Sequence, residues 1–301
     1  MAYIIENAQL LKDGVSSLSS LMIDKDKILF VSDGFKMYKH MRMDASGFIM
    51  TPPHVLLDAS VPVDKPFQVR KSYYLNEFIL KGCTAFLTYV ALTHENQLPM
   101  RIKQMRAELV DCPVDYIIGV KIRAPLLTQA FLRKCKKEKV PAVFVEISDL
   151  DELRKIPWGW LREAMFPYNS PLVPMFLWTK NNKEKRQAAG FWKGIMKAEK
   201  IPSIFDEIRQ NEPLKKSVLM KTGIFPRKSH LHNGGEISYN FYLKSNETVK
   251  ANEKELFFGH QASLAVTVHK GNVVRAGGQV FYRPGTGENV QIRTPAFFVA
   301  N

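Results

Sequence analysis

The middle of the chain alternates between short apolar runs and longer amphipathic segments. Residues 83–90, 116–121 and 142–146 have the length and composition of buried strands, and residues 98–109 and 126–137 between them have helical periodicity. Strands joined by helical crossovers lie parallel in one sheet. This order predicts an α/β fold.

Segments rich in β-forming patterns flank this middle region on both sides. Residues 3–50 and 223–301 contain alternating or apolar runs separated by turn sequences such as Lys12-Asp13-Gly14 and Lys270-Gly271-Asn272. We therefore expect the two terminal regions to form β structure outside the α/β core.

Residues 151–222 have weaker periodicity and contain all four tryptophans of the chain. The pattern predicts helices at residues 191–199 and 204–210. It does not predict how this region packs on the sheet.

The composition is that of a globular protein, since 46% of the 301 residues are hydrophobic and 24% are charged. No apolar run approaches the ~18 residues of a membrane span, and the N-terminus lacks the pattern of a signal peptide. We therefore expect a cytoplasmic protein without membrane association. Cys83, Cys112 and Cys135 form no CxxC pair and are typical of free thiols in a reducing compartment.

The chain is strongly basic, with a net charge of +14. Such a surplus favours anionic ligands. Basic residues cluster at 133–139 and 180–186, but aromatic residues do not alternate with them as a stacking platform for nucleic acid requires. An anionic ligand is therefore one interpretation of the charge, and solvated helix faces are another; nucleic acid is not favoured.

Several short motifs follow one another in the order seen in a known enzyme family. They are Ile4-Ile5-Glu6-Asn7-Ala8, Lys81-Gly82-Cys83-Thr84-Ala85, Gly223-Ile224-Phe225-Pro226-Arg227-Lys228, Val266-Thr267-Val268-His269-Lys270-Gly271 and Arg283-Pro284-Gly285-Thr286-Gly287. Together they resemble the cyclic-amidohydrolase branch of the amidohydrolase superfamily, which contains dihydropyrimidinase, hydantoinase and dihydroorotase.

The resemblance implies a (β/α) barrel beside a small β-sandwich. Residues 1–50 and 223–301 would form the composite sandwich, and residues 51–222 the barrel. An eight-stranded barrel takes ~250 residues, and only about 170 lie between the two β regions, so we expect an abbreviated or rebuilt barrel. The resemblance also implies a homo-oligomer.

The resemblance further implies metal ligands that this chain lacks. Aligned on Thr51-Pro52, the family's His-x-His pair falls on Asp58 and Ser60. The family's carbamylated lysine falls near Lys121, which is either that lysine or an ordinary lysine at a strand end. The next histidine ligand is replaced by Glu146.

Histidines are missing where the later family ligand would stand, since none occurs between His94 and His230. His230-Leu231-His232 is the one His-x-His sequence, and its place after the Pro-Arg-Lys motif favours a solvated turn over a metal pair.

Three functions follow from these observations. The first is a catalytically degenerate amidohydrolase-like protein, a pseudoenzyme without cofactor that keeps its scaffold for binding or assembly. The second is a divergent hydrolase of cyclic amide C–N bonds, with a divalent metal held by oxygen ligands; its candidate catalytic and metal-binding residues are Asp58, Lys121 and Glu146. The third is a module that binds an anion or nucleic acid through its basic surface.

Overall fold

The computed structural model describes residues 2–179 and 181–296. The strands in this part of the chain are β1 (Tyr3–Lys12), β2 (Val15–Asp24), β3 (Lys27–Ser32), β4 (Met41–Asp44), β5 (Phe48–Thr51), β6 (His54–Leu57), β7 (Cys83–Ala91), β8 (Asp115–Arg123), β9 (Val143–Ile147), β10 (Leu172–Phe176), β11 (Tyr239–Leu243), β12 (Leu264–His269), β13 (Asn272–Ala276) and β14 (Gln279–Val280). The helices are α1 (Phe67–Glu77), α2 (Leu98–Glu108), α3 (Gln129–Lys137), α4 (Leu150–Arg154), α5 (Trp158–Met165), α6 (Asn182–Ala198), α7 (Lys216–Thr222) and α8 (Glu253–Gly259).

Five parallel strands form the central sheet in the order β10-β9-β8-β7-β6. Each pair of neighbours in this sheet is connected through at least one helix, so the predicted α/β fold is confirmed. The helix predicted at 126–137 begins later, at Gln129, because the Thr128 hydroxyl accepts the backbone N–H of Phe131 and caps the helix there.

The helix predicted at residues 204–210 does not form. Residues 202–214, here called the closing segment, instead run along both edges of the parallel sheet. Ile204 N donates to Leu172 O at 2.8 Å on β10, and Leu214 N donates to Val55 O at 2.8 Å on β6. The open backbone edges of these strands need hydrogen-bond partners, and this need outweighs the local helical pattern.

The closing segment turns the five-stranded sheet into a shortened barrel. It runs parallel to β10 at Ser203 and antiparallel to β6 at Pro213, so residues 205–210 cross the carboxyl end of the strands. One apolar cluster fills the enclosed interior with side chains from every strand and from the closing segment, including Val55, Leu57, Ala85, Leu87, Ile117, Phe144, Val173, Ile204 and Leu214. The barrel is therefore a packed core.

Strands from both terminal regions form a second, mixed sheet in the order β14-β13-β12-β11-β5-β1-β2-β3, with β4 paired to β1. The two regions join where β5 pairs with β1 on one side and with β11 on the other. Leu21 and Ile28 share one apolar core with Phe241 and Val268, so the sheet curls over itself. The two-layer sandwich and the domain boundaries at 50/51 and 222/223 stay predictions.

No helix among the described residues is both long and apolar enough to span a bilayer. The three cysteines are free and buried, and burial raises the pKa of each thiol. Their side chains therefore remain protonated and pack as small apolar groups.

Candidate functional site

Lys121 and Glu146 meet at the carboxyl end of the parallel sheet. Side chains alternate along a strand, so Lys121 faces the barrel interior with Ile117, and Glu146 faces it with Phe144. Lys121 Nζ lies 2.7 Å from Glu146 Oε1, and both side chains are about a fifth exposed, at 23% and 21%. The two neighbouring strands thus bring these two predicted site residues together as an ion pair.

Aromatic side chains support this ion pair from the interior. Lys121 Nζ lies 5.7 Å from the ring centroid of Tyr89, and the rings of Tyr89 and Phe144 are 4.7 Å apart. Burial raises the pKa of Tyr89, which keeps its phenol neutral. The ammonium of Lys121 therefore contacts one carboxylate and one aromatic face.

The closing segment covers this end of the barrel. Glu207 accepts the backbone N–H of Phe176 at 2.7 Å, and Gln210 accepts that of Ala59 at 3.0 Å. Glu207 and Gln210, together with Tyr89, line a cavity of about 280 Å³. The chain's own residues therefore occupy much of the end where barrel enzymes hold substrates.

Asp58 lies apart from Lys121 and Glu146. It follows the interior residue Leu57, so the strand's alternation turns its side chain outward, toward α1. Its Oδ2 accepts the hydroxyl of Tyr73 at 2.8 Å, and its Oδ1 accepts the backbone N–H of Ser60 at 2.8 Å. Burial raises the pKa of Asp58, and the two hydrogen bonds oppose that rise.

The residues around Lys121 are a poor set of ligands for the divalent metals that the fold implies. Such a metal needs several imidazole, carboxylate or carbonyl ligands that face a common point. The carboxylate of Glu146 is already neutralised by Lys121, and that of Glu207 accepts the backbone N–H of Phe176 and pairs with Lys185 at 3.4 Å. Asp58 bonds to a different set of partners. Whether Asp58, Lys121 and Glu146 have catalytic or metal-binding roles stays a prediction.

Across the described parts of the chain, one group of three or more potential metal ligands lies close together. It consists of Asp115, Glu236 and His269, whose ligand atoms are all within 4.8 Å of one another. Asp115 is the first residue of β8, so the group lies at the opposite end of the barrel from Lys121. It joins the parallel sheet to the mixed sheet, since His269 ends β12.

Two lysines neutralise this group. The Lys228 ammonium donates to both Asp115 and Glu236, and Lys270 Nζ lies 2.8 Å from Asp115 Oδ1. Burial would raise the pKa of Asp115, but the Lys228 and Lys270 charges outweigh it and hold that pKa below its usual value. The ammonium of Lys228 thus occupies the place between the carboxylates that a metal ion would need.

His269 is buried within the group, and neither of its ring nitrogens has a hydrogen-bond partner among residues 2–179 and 181–296. Its Nε2 is 3.8 Å from Asp115 Oδ2, and its Nδ1 is 4.0 Å from Glu236 Oε1. Burial lowers the pKa of His269, which favours the neutral ring. The group is therefore an ion network with a neutral histidine packed against it.

Sequence analysis did not single out this network as a site. Lys228, His269 and Lys270 lie in the motifs that carry the family resemblance, whereas Asp115 and Glu236 belong to no motif. The amino end of barrel strands generally serves stability and the carboxyl end serves chemistry. We therefore interpret the network as the joint between the two sheets.

Comparison with known proteins finds similar folds among solved structures. No protein-family model and no curated protein sequence matches the chain. Among solved structures, the dihydropyrimidinase of Brevibacillus agri is similar, with a TM-score of 0.63 and 12% identity over 98% of this chain and 100% of that one. The D-hydantoinase of a Thermus species has a TM-score of 0.55 and 11% identity over 98% and 100% of the two chains.

A prolidase crystallised with N-methylphosphonate-L-proline also resembles the chain, with a TM-score of 0.50 and 9% identity over 92% of this chain and 100% of that one. These similarities show that the chain shares its fold with the dihydropyrimidinase, the D-hydantoinase and the prolidase. The resemblance predicted from the motifs is thus confirmed at the level of the fold.

Proposed function

We propose that this protein keeps the amidohydrolase fold as a scaffold for binding or assembly and does not carry out the metal-dependent hydrolysis of its structural relatives. The observation that carries the proposal is the ion pair between Lys121 and Glu146. In this pair the carboxylate of Glu146 is neutralised by the Lys121 ammonium, which leaves it less available to a metal ion.

Electrostatics supports the same conclusion. A divalent metal at Glu146 would have to displace the Lys121 ammonium, 2.7 Å away, or lie beside it and be repelled. Lewis-acid activation of water needs the metal to be held by several protein ligands with one position left open. The closing segment adds Gln210 and Glu207 over this end, which further limits access for a substrate.

We further propose that both terminal regions form the small sandwich beside a truncated barrel. In this proposal the protein acts in the cytoplasm as a homo-oligomer. Similarity to the solved enzymes supports a shared architecture. It does not imply a shared reaction, because one fold can serve many functions.

Metal content and hydrolysis test the proposal directly. The purified protein is dialysed and its zinc, manganese and cobalt are measured, and the same preparation is assayed on hydantoin and dihydrouracil with each metal added. We expect metal far below one per chain and no turnover above buffer, while an active D-hydantoinase prepared in parallel gives both. Metal bound one per chain and lost in Glu146→Gln, or turnover abolished by that variant, would refute the proposal.

A further inference from the structure

Helix α6 carries a line of basic side chains on its outward face. The helix buries Ala188, Trp192 and Met196 against the protein core on its opposite face. Four exposed basic residues, here called the basic row, follow the outward face at helical spacing: Lys183, Arg186, Lys193 and Lys197. At a rise of about 1.5 Å per residue, the basic row is about 21 Å long. The helix therefore presents an extended line of positive charge to solvent.

No carboxylate neutralises the basic row. None of its four cationic groups has a carboxylate oxygen within 4.0 Å among residues 2–179 and 181–296, whereas Lys185, on another side of the helix, pairs with Glu207 at 3.4 Å. The two acids of residues 181–199, Glu184 and Glu199, are half-buried and lie away from the outward face. This face is therefore uniformly cationic, in a chain whose net charge is +14.

The uncharged residues of the outward face are small or polar. They are exposed as well, and they comprise Gln187, Gly190, Gly194 and Ala198. A Cβ added to either glycine would meet nothing within 4 Å. A protein partner needs apolar or aromatic anchors, and a membrane surface needs apolar side chains that insert into it. The outward face offers neither, so charge complementarity favours a partner that is itself an extended polyanion.

The same composition distinguishes between two forms of nucleic acid. Proteins bind a single strand by stacking its bases on aromatic side chains, and the outward face of α6 has none. A duplex keeps its bases stacked and presents a negative charge about every 1.7 Å along its axis, which lysine and arginine bind without reading the sequence. The lack of aromatic residues among the basic ones therefore disfavours a single strand and is compatible with a duplex.

We propose that the outward face of α6 binds the phosphate backbone of a nucleic-acid duplex through the basic row, without reading the base sequence. The four cationic side chains pair with phosphate oxygens through charge-assisted hydrogen bonds. Gly190 and Gly194 leave the space between these side chains open to the backbone. This surface lies outside the barrel, so the binding stands whether or not the barrel is catalytic.

The salt dependence of binding tests the proposal on the full chain. Fluorescence anisotropy is measured with a labelled DNA duplex of about 20 base pairs in about 50 to 250 mM sodium chloride. Four phosphate contacts predict a slope of about −3.6 for the logarithm of the association constant against that of the salt concentration. Removing two of them in the double variant Arg186→Gln, Lys197→Gln should bring the slope to about −1.8. A duplex of unrelated sequence should bind within about twofold, and the single strand at least about fivefold more weakly.

Matched variants separate the basic row from the general positive charge. The double variant Lys25→Gln, Lys103→Gln removes two exposed lysines elsewhere, in the β2–β3 turn and on α2, and should keep the slope at about −3.6. Gly190→Glu places a carboxylate within the basic row and should weaken duplex binding at least about fivefold, while Gly190→Ala should bind as the parent does.

Three results would each overturn the proposal. They are equal losses of slope in the two double variants, a single strand that binds as tightly as the duplex, and a dissociation constant above about 1 mM for the parent in about 50 mM salt. The first would assign the binding to overall charge, and the second would assign it to base stacking elsewhere on the protein.

Discussion

The ammonium of Lys228 donates a hydrogen bond to the buried carboxylate of Asp115, a residue 113 positions earlier in the chain. Lys228 comes from the segment that follows the closing segment and α7, and Asp115 begins β8. The contact therefore fixes the carboxyl-terminal part of the mixed sheet to the amino end of the barrel.

We predict that Lys228→Met destabilises the protein by about 1–3 kcal/mol. The substitution removes the cation that bridges Asp115 and Glu236, and the buried Asp115 carboxylate keeps only the second of its two lysines, Lys270. Denaturant unfolding measures the change. Lys216→Met is the control, because Lys216 pairs with Asp13 at 2.6 Å on the surface and such pairs contribute only about 0–1 kcal/mol. Equal losses in the two variants would contradict the interpretation of the network as a joint.

Acid should weaken the fold through His54. Burial lowers the pKa of His54 to about 4, while an unfolded histidine titrates near 6.5. Between these values the unfolded chain binds a proton that the folded chain excludes, so stability falls as the pH drops from about 6.5 to 4. The expected loss from this residue is about 3 kcal/mol, since each pKa unit corresponds to about 1.4 kcal/mol.

His54→Gln should therefore flatten the pH dependence of the unfolding free energy in that window. The slope should not vanish, because burial and the nearby charge of Lys12 also lower the pKa of His230 to about 4. Unfolding curves at half-unit pH intervals measure the difference between the two proteins. Curves that run parallel from pH 7 to 4 would mean that His54 does not contribute.

Gly119 lies where the barrel interior has no space for a side chain. A Cβ at this position would lie 3.0 Å from the Ala142 carbonyl oxygen and 3.2 Å from the Phe144 ring. We expect Gly119→Ala to cost about 1–3 kcal/mol through overpacking. Gly190 in α6 has open space around it, so Gly190→Ala should instead stabilise by about 0.5–1 kcal/mol. Thermal unfolding of the two variants should thus shift in opposite directions.

Hydrogen exchange should reveal the closing segment as part of the barrel. The amides of Ile204 and Leu214 donate to strand carbonyls, whereas Arg209 is exposed and donates no backbone hydrogen bond within the described residues. We expect exchange at Ile204 and Leu214 to be slower than at Arg209 by about 10³-fold or more. Similar rates at all three amides would indicate that the segment does not close the barrel.

The local pattern was sufficient for the central elements and insufficient for the closing segment. Strands β7, β8 and β9 lie where apolar runs predicted them, because a strand buried on both faces is apolar throughout. The prediction of a helix at 204–210 was wrong because the backbone of this segment bonds instead to Leu172 and Val55, which are distant in sequence. The periodicity of a short segment cannot indicate that it will pair with the open edge of a strand far away in the sequence.

The sequence likewise predicted only part of the candidate site. Lys121 and Glu146 end neighbouring parallel strands, so the order of strands alone indicated that they could meet. The side chain of Asp58 points outward because that of Leu57 points into the barrel. A shift of one residue in the strand register would turn every side chain of the strand to the opposite face, and the sequence alone does not fix this register. Asp115 and Glu236 had no local signal, since their partners come from other strands and loops.

The sequence by itself determined the parallel α/β core, the β character of both terminal regions and the absence of histidines between His94 and His230, because each depends only on residues that are close together in the chain. Only the tertiary structure decided how the short barrel closes, that Asp58 faces α1, and that Lys228 occupies the position between Asp115 and Glu236. These outcomes depend on long-range hydrogen bonds and charge pairing, which form only when distant segments are brought together.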